Sequence, residues 1–487
     1  MISSNRRACY SPRVTCHFEM FFTARKVHFI GIGGSGMCGI AEVLLNLRYQ
    51  VSGSDLRLSP VTERLERLGA QIWEGHDAAH VGDAEAVVVS SAVRADNPEV
   101  VEARRRQIPV IPRGEMLAEL MRLKYGIAVG GSHGKTTTSS MVAAVLAEAA
   151  LDPTLVVGGR LNSVGANARL GKGDFMVVES DESDRSFLHL APIIAVITNI
   201  DREHLDHYGT MQELQRAYAE FANRVPFYGA AIVCRDEEHL RQILPALRRR
   251  VVTYGMEGGR PEADLVIHDV ACGHFESQFQ LRFRGNDLGA FRLQLPGQHN
   301  VLNATAAAAV GMELKIAPET IRAALAGFQN VDRRFQVRGE VDGVTVIDDY
   351  GHHPTEIRAT LAAARQCRYR RVYAIFQPHR YSRTALLADD FARCFGDCDF
   401  LYVLDIYAAG EPPIEGISSE TLVERMHAAG FGAVEYAPSM EHMLPRLAKA
   451  VEPGDLVLTL GAGNVWQAGE QFLDLLRHRA AAVTRDK

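Results

Sequence analysis

Lysine is scarce in this 487-residue chain: none lies between Lys172 and Lys315, and most basic residues are arginine. Codon bias accounts for the scarcity, but it singles out Lys135, which stands in a loop and is not a random surface lysine. An excess of positive charge is missing too, the formal net charge being -6. Proteins held to nucleic acid by phosphate contacts usually carry a basic patch, so no nucleic-acid partner is expected. The cysteines (Cys9, Cys16, Cys38, Cys234, Cys272, Cys367, Cys394 and Cys398) form no Cys-x-x-Cys pair. That excludes a disulfide framework and a zinc site and points to reduced thiols in the cytoplasm. No apolar run approaches the length of a membrane helix, so no membrane partner is expected. The first twenty residues lack the continuous apolar stretch of a signal peptide. Residues 1–24 read as a disordered extension, with Met20 as an alternative start.

What is present is a regular alternation of apolar strand-like runs and helix-like segments, the pattern of an α/β protein with mainly parallel sheets. The length suits about three domains. Residues 25–125, 126–335 and 336–487 are the expected units. In the second, Asp264–Leu295 alternates polar and apolar residues as a half-exposed antiparallel hairpin would.

The most specific motif is Gly131-Ser132-His133-Gly134-Lys135-Thr136-Thr137, between an apolar strand at Ile127–Val129 and an apolar helix. A glycine loop between strand and helix cradles nucleotide phosphates with its backbone N–H groups. Lys135 would reach the β- and γ-phosphates and Thr136 would hold Mg²⁺. The full Walker pattern has glycine where Val129 stands, so only the shorter form is present. Gly31-Ile32-Gly33-Gly34-Ser35-Gly36 follows the first strand and Asp55 ends the second. That pair suits a diphosphate and a ribose, in a nicotinamide, flavin or nucleotide-sugar site, or else a structural tight turn.

Further polar clusters follow strands. Glu179 sits nearest the end of a buried strand and is the expected metal ligand; a solvated acidic loop explains Asp184 just as well. His204 follows another strong strand and could take a second Mg²⁺. Asn300 and Asn303 could bind adenine or ribose, or simply cap the alanine-rich helix. Arg333 and Arg334 could lean on a transferring phosphoryl group, or form a surface charge pair with Asp332. Asp348–Pro354 and Gln377–Thr384 are too dense in polar side chains for core packing, and arginine there suits bidentate carboxylate binding.

Taken in order, His28–Met37, the phosphate loop, Asp181-Glu182-Ser183-Asp184, His299-Asn300, Arg333-Arg334-Phe335, Asp349–Pro354 and Pro378–Tyr381 resemble the Mur ligases, most closely the alanine-adding branch. The resemblance runs from about Lys26 to Leu476. It implies a Rossmann-like UDP-binding domain, a central P-loop-type ATPase domain and a Rossmann-like C-terminal domain for the amino acid. It implies ATP and Mg²⁺ as cofactors, UDP-N-acetylmuramate and L-alanine as substrates, and a role in peptidoglycan synthesis. Gly33, Gly34, Ser35, Gly36, Asp55, Ser90 and Ser91 would hold the UDP sugar. Gly131, Ser132, His133, Gly134, Lys135, Thr136, Thr137, Asn300 and Asn303 would hold ATP. Thr136 and Glu179 would bind one Mg²⁺ and His204 a second. Lys135, His204, Arg333, Arg334, His352, Arg380 and Arg383 would carry the chemistry, which runs through an acyl phosphate. Ser132 stands where the family usually has threonine. The carbamylated lysine of some Mur ligases has no counterpart after His204, which fits the alanine-adding branch. A murein tripeptide recycling ligase is the runner-up; a Rossmann oxidoreductase would leave the Lys135 loop, Glu179 and His204 unexplained, and a non-catalytic nucleotide-binding switch ranks as low. The sequence leaves monomer and homodimer open.

Overall fold

A computed structural model describes residues 25–90, 92–161, 166–259, 262–273 and 275–485. The expected extension at 1–24 and the UDP residue Ser91 lie outside them.

The first sheet contains β1 (Lys26–Ile30), β2 (Gln50–Asp55), β3 (Gln71–Glu74), β4 (Ala86–Val89) and β5 (Val110–Pro112). Its order is β3-β2-β1-β4-β5, and every pairing is parallel. The chain reverses its direction of growth between β1 and β4. In such sheets, ligands bind outside the carboxyl ends of the strands at that point.

The central sheet contains β6 (Tyr125–Gly130), β7 (Thr154–Leu161), β8 (Ala166–Arg169), β9 (Phe175–Glu179), β10 (Ile194–Ile197), β11 (Ala230–Cys234), β12 (Val251–Met256), β13 (Leu265–Gly273), β14 (Glu276–Phe283) and β15 (Asn286–Leu293). It is ten-stranded, in the order β15-β14-β13-β12-β11-β10-β6-β9-β7-β8. β10 (IAVI) and β11 (AAIVC) are wholly apolar and buried throughout, as strands covered on both faces are. The expected hairpin at 264–295 is instead three strands: β13 joins β12 in parallel and continues the sheet, and β14 and β15 fold back antiparallel. The alternation reported the half-exposed face correctly but could not report that the first strand docks on the main sheet.

The third sheet contains β16 (Gln336–Val341), β17 (Val344–Asp349), β18 (Val372–Phe376), β19 (Phe400–Val403), β20 (Val434–Tyr436) and β21 (Leu456–Leu460), in the order β16-β17-β21-β18-β19-β20. Only the β16–β17 pair is antiparallel. Apolar clusters lie on both faces, one around Ile357, Phe376 and Phe391, the other around Ile375, Leu447 and Phe472. Among the described residues no helix is long and apolar enough to cross a membrane.

Candidate active site

Strand order assembles the site. β6 lies between β10 and β9 and all three run parallel, so the segments leaving them meet at the carboxyl ends of these interior strands. Val129 lies within β6, pairs with Val196 and Glu179, and is fully buried. The loop starts only at Gly131, which is why glycine is dispensable at 129. Gly134 has φ 78° at the head of helix Lys135–Glu148, and a Cβ there would stand 2.6 Å from Asn303 Oδ1. The segment after β10 holds the loop's shape. Asn199 Oδ1 accepts from the His133 N–H at 2.7 Å, and Thr198 Oγ1 donates to the His133 carbonyl at 2.6 Å. Ser132 Oγ accepts from the Asp201 N–H at 2.8 Å. Thr137, one turn into the helix, is buried and faces the same cavity as His133 and Gly134.

Lys135 Nζ donates to both Glu182 oxygens, at 2.8 and 2.9 Å, and to the Gly131 carbonyl at 2.7 Å. Burial alone would lower its pKa, but the carboxylates of Glu182 and Glu179 outweigh it and keep the ammonium charged. Burial pushes Glu182 up to about 7 against the pull of Lys135. Thr136 Oγ1 donates to Glu179 Oε2 at 2.8 Å, and that oxygen also accepts from the Gly158 N–H at 2.9 Å. A hydroxyl beside a carboxylate is a hard oxygen set of the kind Mg²⁺ takes. His204 belongs to a separate group, with ligating atoms of Glu182, Glu203 and His204 all within 4.8 Å of one another. Burial lowers the His204 pKa, which favours the neutral imidazole a second divalent cation requires.

A cavity of about 430 Å³ lies beside the loop, lined by Tyr254, His299, Asn300, Asn303, Arg334 and Glu356 among others. Asn300 is inside helix Gln298–Glu313, not at its cap. The N-cap is Gly297, and Asn300 Nδ2 donates to the Pro296 carbonyl at 2.8 Å. The capping alternative therefore falls. Asn303 Oδ1 accepts from Thr138 Oγ1 at 3.2 Å, which ties this helix to the one after the loop.

A second cavity, of about 440 Å³, is lined by Gly36, Arg113, Lys135, Thr136, Glu179, Arg334 and Tyr350 among others, from all three sheets' surroundings. The two adjacent arginines differ. Arg333 Nε donates to buried Asp348 at 2.8 Å, and its Nη atoms donate to the Gly461 and Gly463 carbonyls at 2.7 and 3.0 Å. Arg334 lies 3.6 Å from Glu356 and lines both cavities. Neither is a surface charge pair with Asp332; both stand over the Tyr350 ring at 5.2 Å.

The loops after β17 and β18 bring His352 and His379 to a ring separation of 5.8 Å, and Tyr407 stacks on His379 at 5.6 Å. Arg383 donates to His379 Nδ1 at 3.2 Å and to Glu203 of the central segment at 3.4 Å. Arg380 is about half exposed and 3.9 Å from Glu411, so it and Arg383 have different partners.

At the reversal point of the first sheet, a crevice of about 810 Å³ is lined by Gly31, Gly33, Gly34, Asp55, His76 and Ser90 among others. Asp55 Oδ2 accepts from the Gly33 N–H at 2.9 Å. Ser35 opens helix Ser35–Asn46 beside this crevice. Gly36 faces the second cavity instead, where a Cβ would stand 2.5 Å from Arg113 Nη1.

Several residues here escaped the sequence reading. Glu182 lay in an acidic run where nearness to the strand end favoured Glu179. Arg113 bridges to Asp181 at 2.7 Å from a helix of the first unit. Glu356 had a local signal, since it stands three residues after His353 and completes a capping box. Buried Glu99 accepts from Ser54 at 2.6 Å and meets His76 and His80 at 3.3 and 3.0 Å beneath the first crevice. Nothing local in the sequence announces that cluster.

The cleft histidines make acid sensitivity testable. Burial, then Arg383, lowers His352 to about 4. Burial, then His352 and Arg383, lowers His379 to about 3. Below the unfolded value near 6.5, the unfolded chain takes protons that the folded chain refuses. Each histidine's contribution is thus complete above about pH 6.5 and is lost as pH falls through the folded value. The thermal midpoint of a His352→Gln variant, followed from pH 7 to 4, is expected to fall less steeply than that of the unaltered chain. An identical slope would contradict the placement of His352.

Three family models match the chain: "Mur ligase family, catalytic domain" over residues 26–125, "Mur ligase middle domain" over 129–311 and "Mur ligase, glutamate ligase domain" over 333–463. The UDP-N-acetylmuramate–L-alanine ligase of Solibacter usitatus (strain Ellin6076) is 61% identical over 460 residues, covering 94% of this chain and 97% of that protein. The protein of the same name from Koribacter versatilis (strain Ellin345) is 57% identical, covering 95% of this chain and 100% of its own. Among solved structures, the UDP-N-acetylmuramate–alanine ligase of Thermotoga maritima superposes with a TM-score of 0.78 at 28% identity, covering 94% of this chain and 99% of its own.

Proposed function

The chain belongs to the Mur ligase family, and from that premise we propose that it joins L-alanine to the lactyl carboxylate of UDP-N-acetylmuramate, splitting ATP to ADP and phosphate. The observation that carries the reading is the meeting, in one cavity, of Lys135, Thr136, Glu179 and Arg334 with Gly36 of the first unit and Tyr350 of the third. Support for alanine comes from the 61% and 57% identity to ligases of that name.

In this reading residues 25–125 take the UDP sugar, with Gly33, Gly34, Asp55 and Ser90 around its diphosphate and ribose. Residues 126–335 take ATP, with the base against Asn300 and Asn303. Residues 336–487 take the amino acid. The lactyl carboxylate attacks the γ-phosphorus, ADP leaves, and an acyl phosphate forms. The alanine amine attacks its carbonyl carbon, and the tetrahedral intermediate collapses to amide and phosphate. Two anions must meet in the first step, so preorganised cations at Lys135 and Arg334 lower the barrier. Mg²⁺, held by Thr136 with Glu179 and by His204, would offset charge on the phosphates. His352 and Arg383 orient the amino acid, and the low pKa of His352 keeps it neutral beside the incoming amine.

Phosphate release is the test, with UDP-N-acetylmuramate and ATP present and L-alanine, glycine, L-serine or the murein tripeptide offered in turn. L-alanine is expected to be the preferred amine. Discrimination against glycine is expected to be modest, because a methyl group is worth only about 1–3 kcal/mol. Release with tripeptide alone would replace this reading by the recycling ligase.

A further inference from the structure

The His133 side chain ties the phosphate loop to Asp201 of the segment after β10 and also reaches the C-terminal unit. The loop is fixed through backbone atoms, by Asn199, Thr198 and Ser132. The imidazole turns one ring nitrogen to the central unit and the other to the C-terminal unit. Its Nε2 lies 2.9 Å from Asp201 Oδ2 and its Nδ1 3.4 Å from Glu356 Oε1, and its ring packs 4.7 Å from that of His353. Thr355 Oγ1 donates to the same Asp201 oxygen at 2.6 Å, so Asp201 holds a residue from each side.

Glu356 then divides its two oxygens between two sites. Oε1 faces His133 and Arg334, on the nucleotide side. Oε2 accepts from the backbone N–H groups of His352 at 3.0 Å and His353 at 3.3 Å, on the amino-acid side. One carboxylate thus connects the phosphate loop to the backbone that carries His352.

We propose that His133 is a positioning residue which, through Glu356, couples the filled phosphate loop to the orientation of His352 and so to amino-acid binding. The coupling rests on the ligase reading above but adds a claim that the reading does not contain. Burial opposes a charge on His133, yet Asp201 and Glu356 raise its pKa to about 10, so the connection is charge-assisted throughout the neutral range.

The test compares the full-length chain with His133→Ala, Glu356→Gln and the double variant. ATP affinity is measured by equilibrium binding, and the KM for L-alanine and kcat by phosphate release. Each single variant is expected to raise the KM for L-alanine about tenfold, with ATP affinity changed less than about threefold. The double variant is expected to be no worse than the poorer single one, as for two links of one chain. Loss of ATP affinity by the same factor as kcat, with the L-alanine KM unchanged, would make His133 part of the ATP cradle and overturn the proposal; so would additive effects in the double variant. Should His133→Ala fail to fold, Glu356→Gln breaks the same link from the other side and is read against the same two outcomes. The unaltered chain's choice of amine, measured first, judges the ligase reading separately. If another amine is preferred, the same split is read with that amine.

Discussion

Replacing Lys135 with methionine is expected to lower turnover by about 10²–10³-fold or more, the cost of removing one preorganised charge from a developing anionic centre, while the fold survives. The two halves of that expectation have different origins. The rate loss follows from the position of Nζ at the head of the phosphate loop, beside Thr136 and Glu179. Survival follows from Glu182. Removing one partner of a buried ion pair typically costs about 3–5 kcal/mol, because a charge is left uncompensated. Glu182 has a way out, since burial already raises it to about 7 with Lys135 present. Without the ammonium it takes up a proton and becomes a neutral acid. Lys135→Met is therefore expected to shift the thermal midpoint only slightly at pH 6.5 and more at pH 8.5, where the proton must be held against the solvent. Adding Glu182→Gln should remove that pH dependence without restoring activity. A midpoint that collapses equally at both pH values would show that Glu182 stays charged.

The neighbouring arginines should separate cleanly. Arg334→Ala is expected to cost about 10²–10³-fold in turnover with little loss of stability, because its guanidinium faces both cavities. Arg333→Ala is expected to destabilise the C-terminal unit by about 3 kcal/mol, because it abandons Asp348, whose side chain is fully buried. Thr459 still donates to Asp348 at 2.6 Å, which places the cost at the lower end of the usual range. Urea unfolding reads the second effect and phosphate release the first. If Arg333→Ala were inactive yet as stable as the unaltered chain, the assignment of the two residues would have to be exchanged.

The sequence already pointed to both arginines but could not tell them apart, because adjacent residues in a bend face whatever the packing dictates. The parallel strands and the phosphate loop were legible for a different reason. Each is a local pattern, an apolar run or a glycine loop between strand and helix, and local patterns survive in one dimension. Glu179 was legible because it ends a strand. Glu182, three residues on, was not, because its value lies in the turn that brings it beneath Lys135. Arg113, Asp201 and Glu356 act across unit boundaries, between segments far apart in the chain, and no spacing encodes such a meeting. The split between Gly33–Gly34 and Gly36 has the same cause: the glycines share a motif, but the helix they open lies between two cavities.

The first turn of helix Pro354–Gln366 serves two clients at once. Thr355 and Glu356 border the nucleotide cavity, while Glu356 also accepts from the backbone N–H of His352, whose ring meets that of His379. Selection therefore cannot retune this turn for a different amine without moving groups that border the nucleotide cavity. For a designed inhibitor the same economy is a weakness. A small molecule wedged between Glu356 and the phosphate loop would jam carboxylate activation and amine capture together, and a resistance substitution at that turn would carry a cost in both.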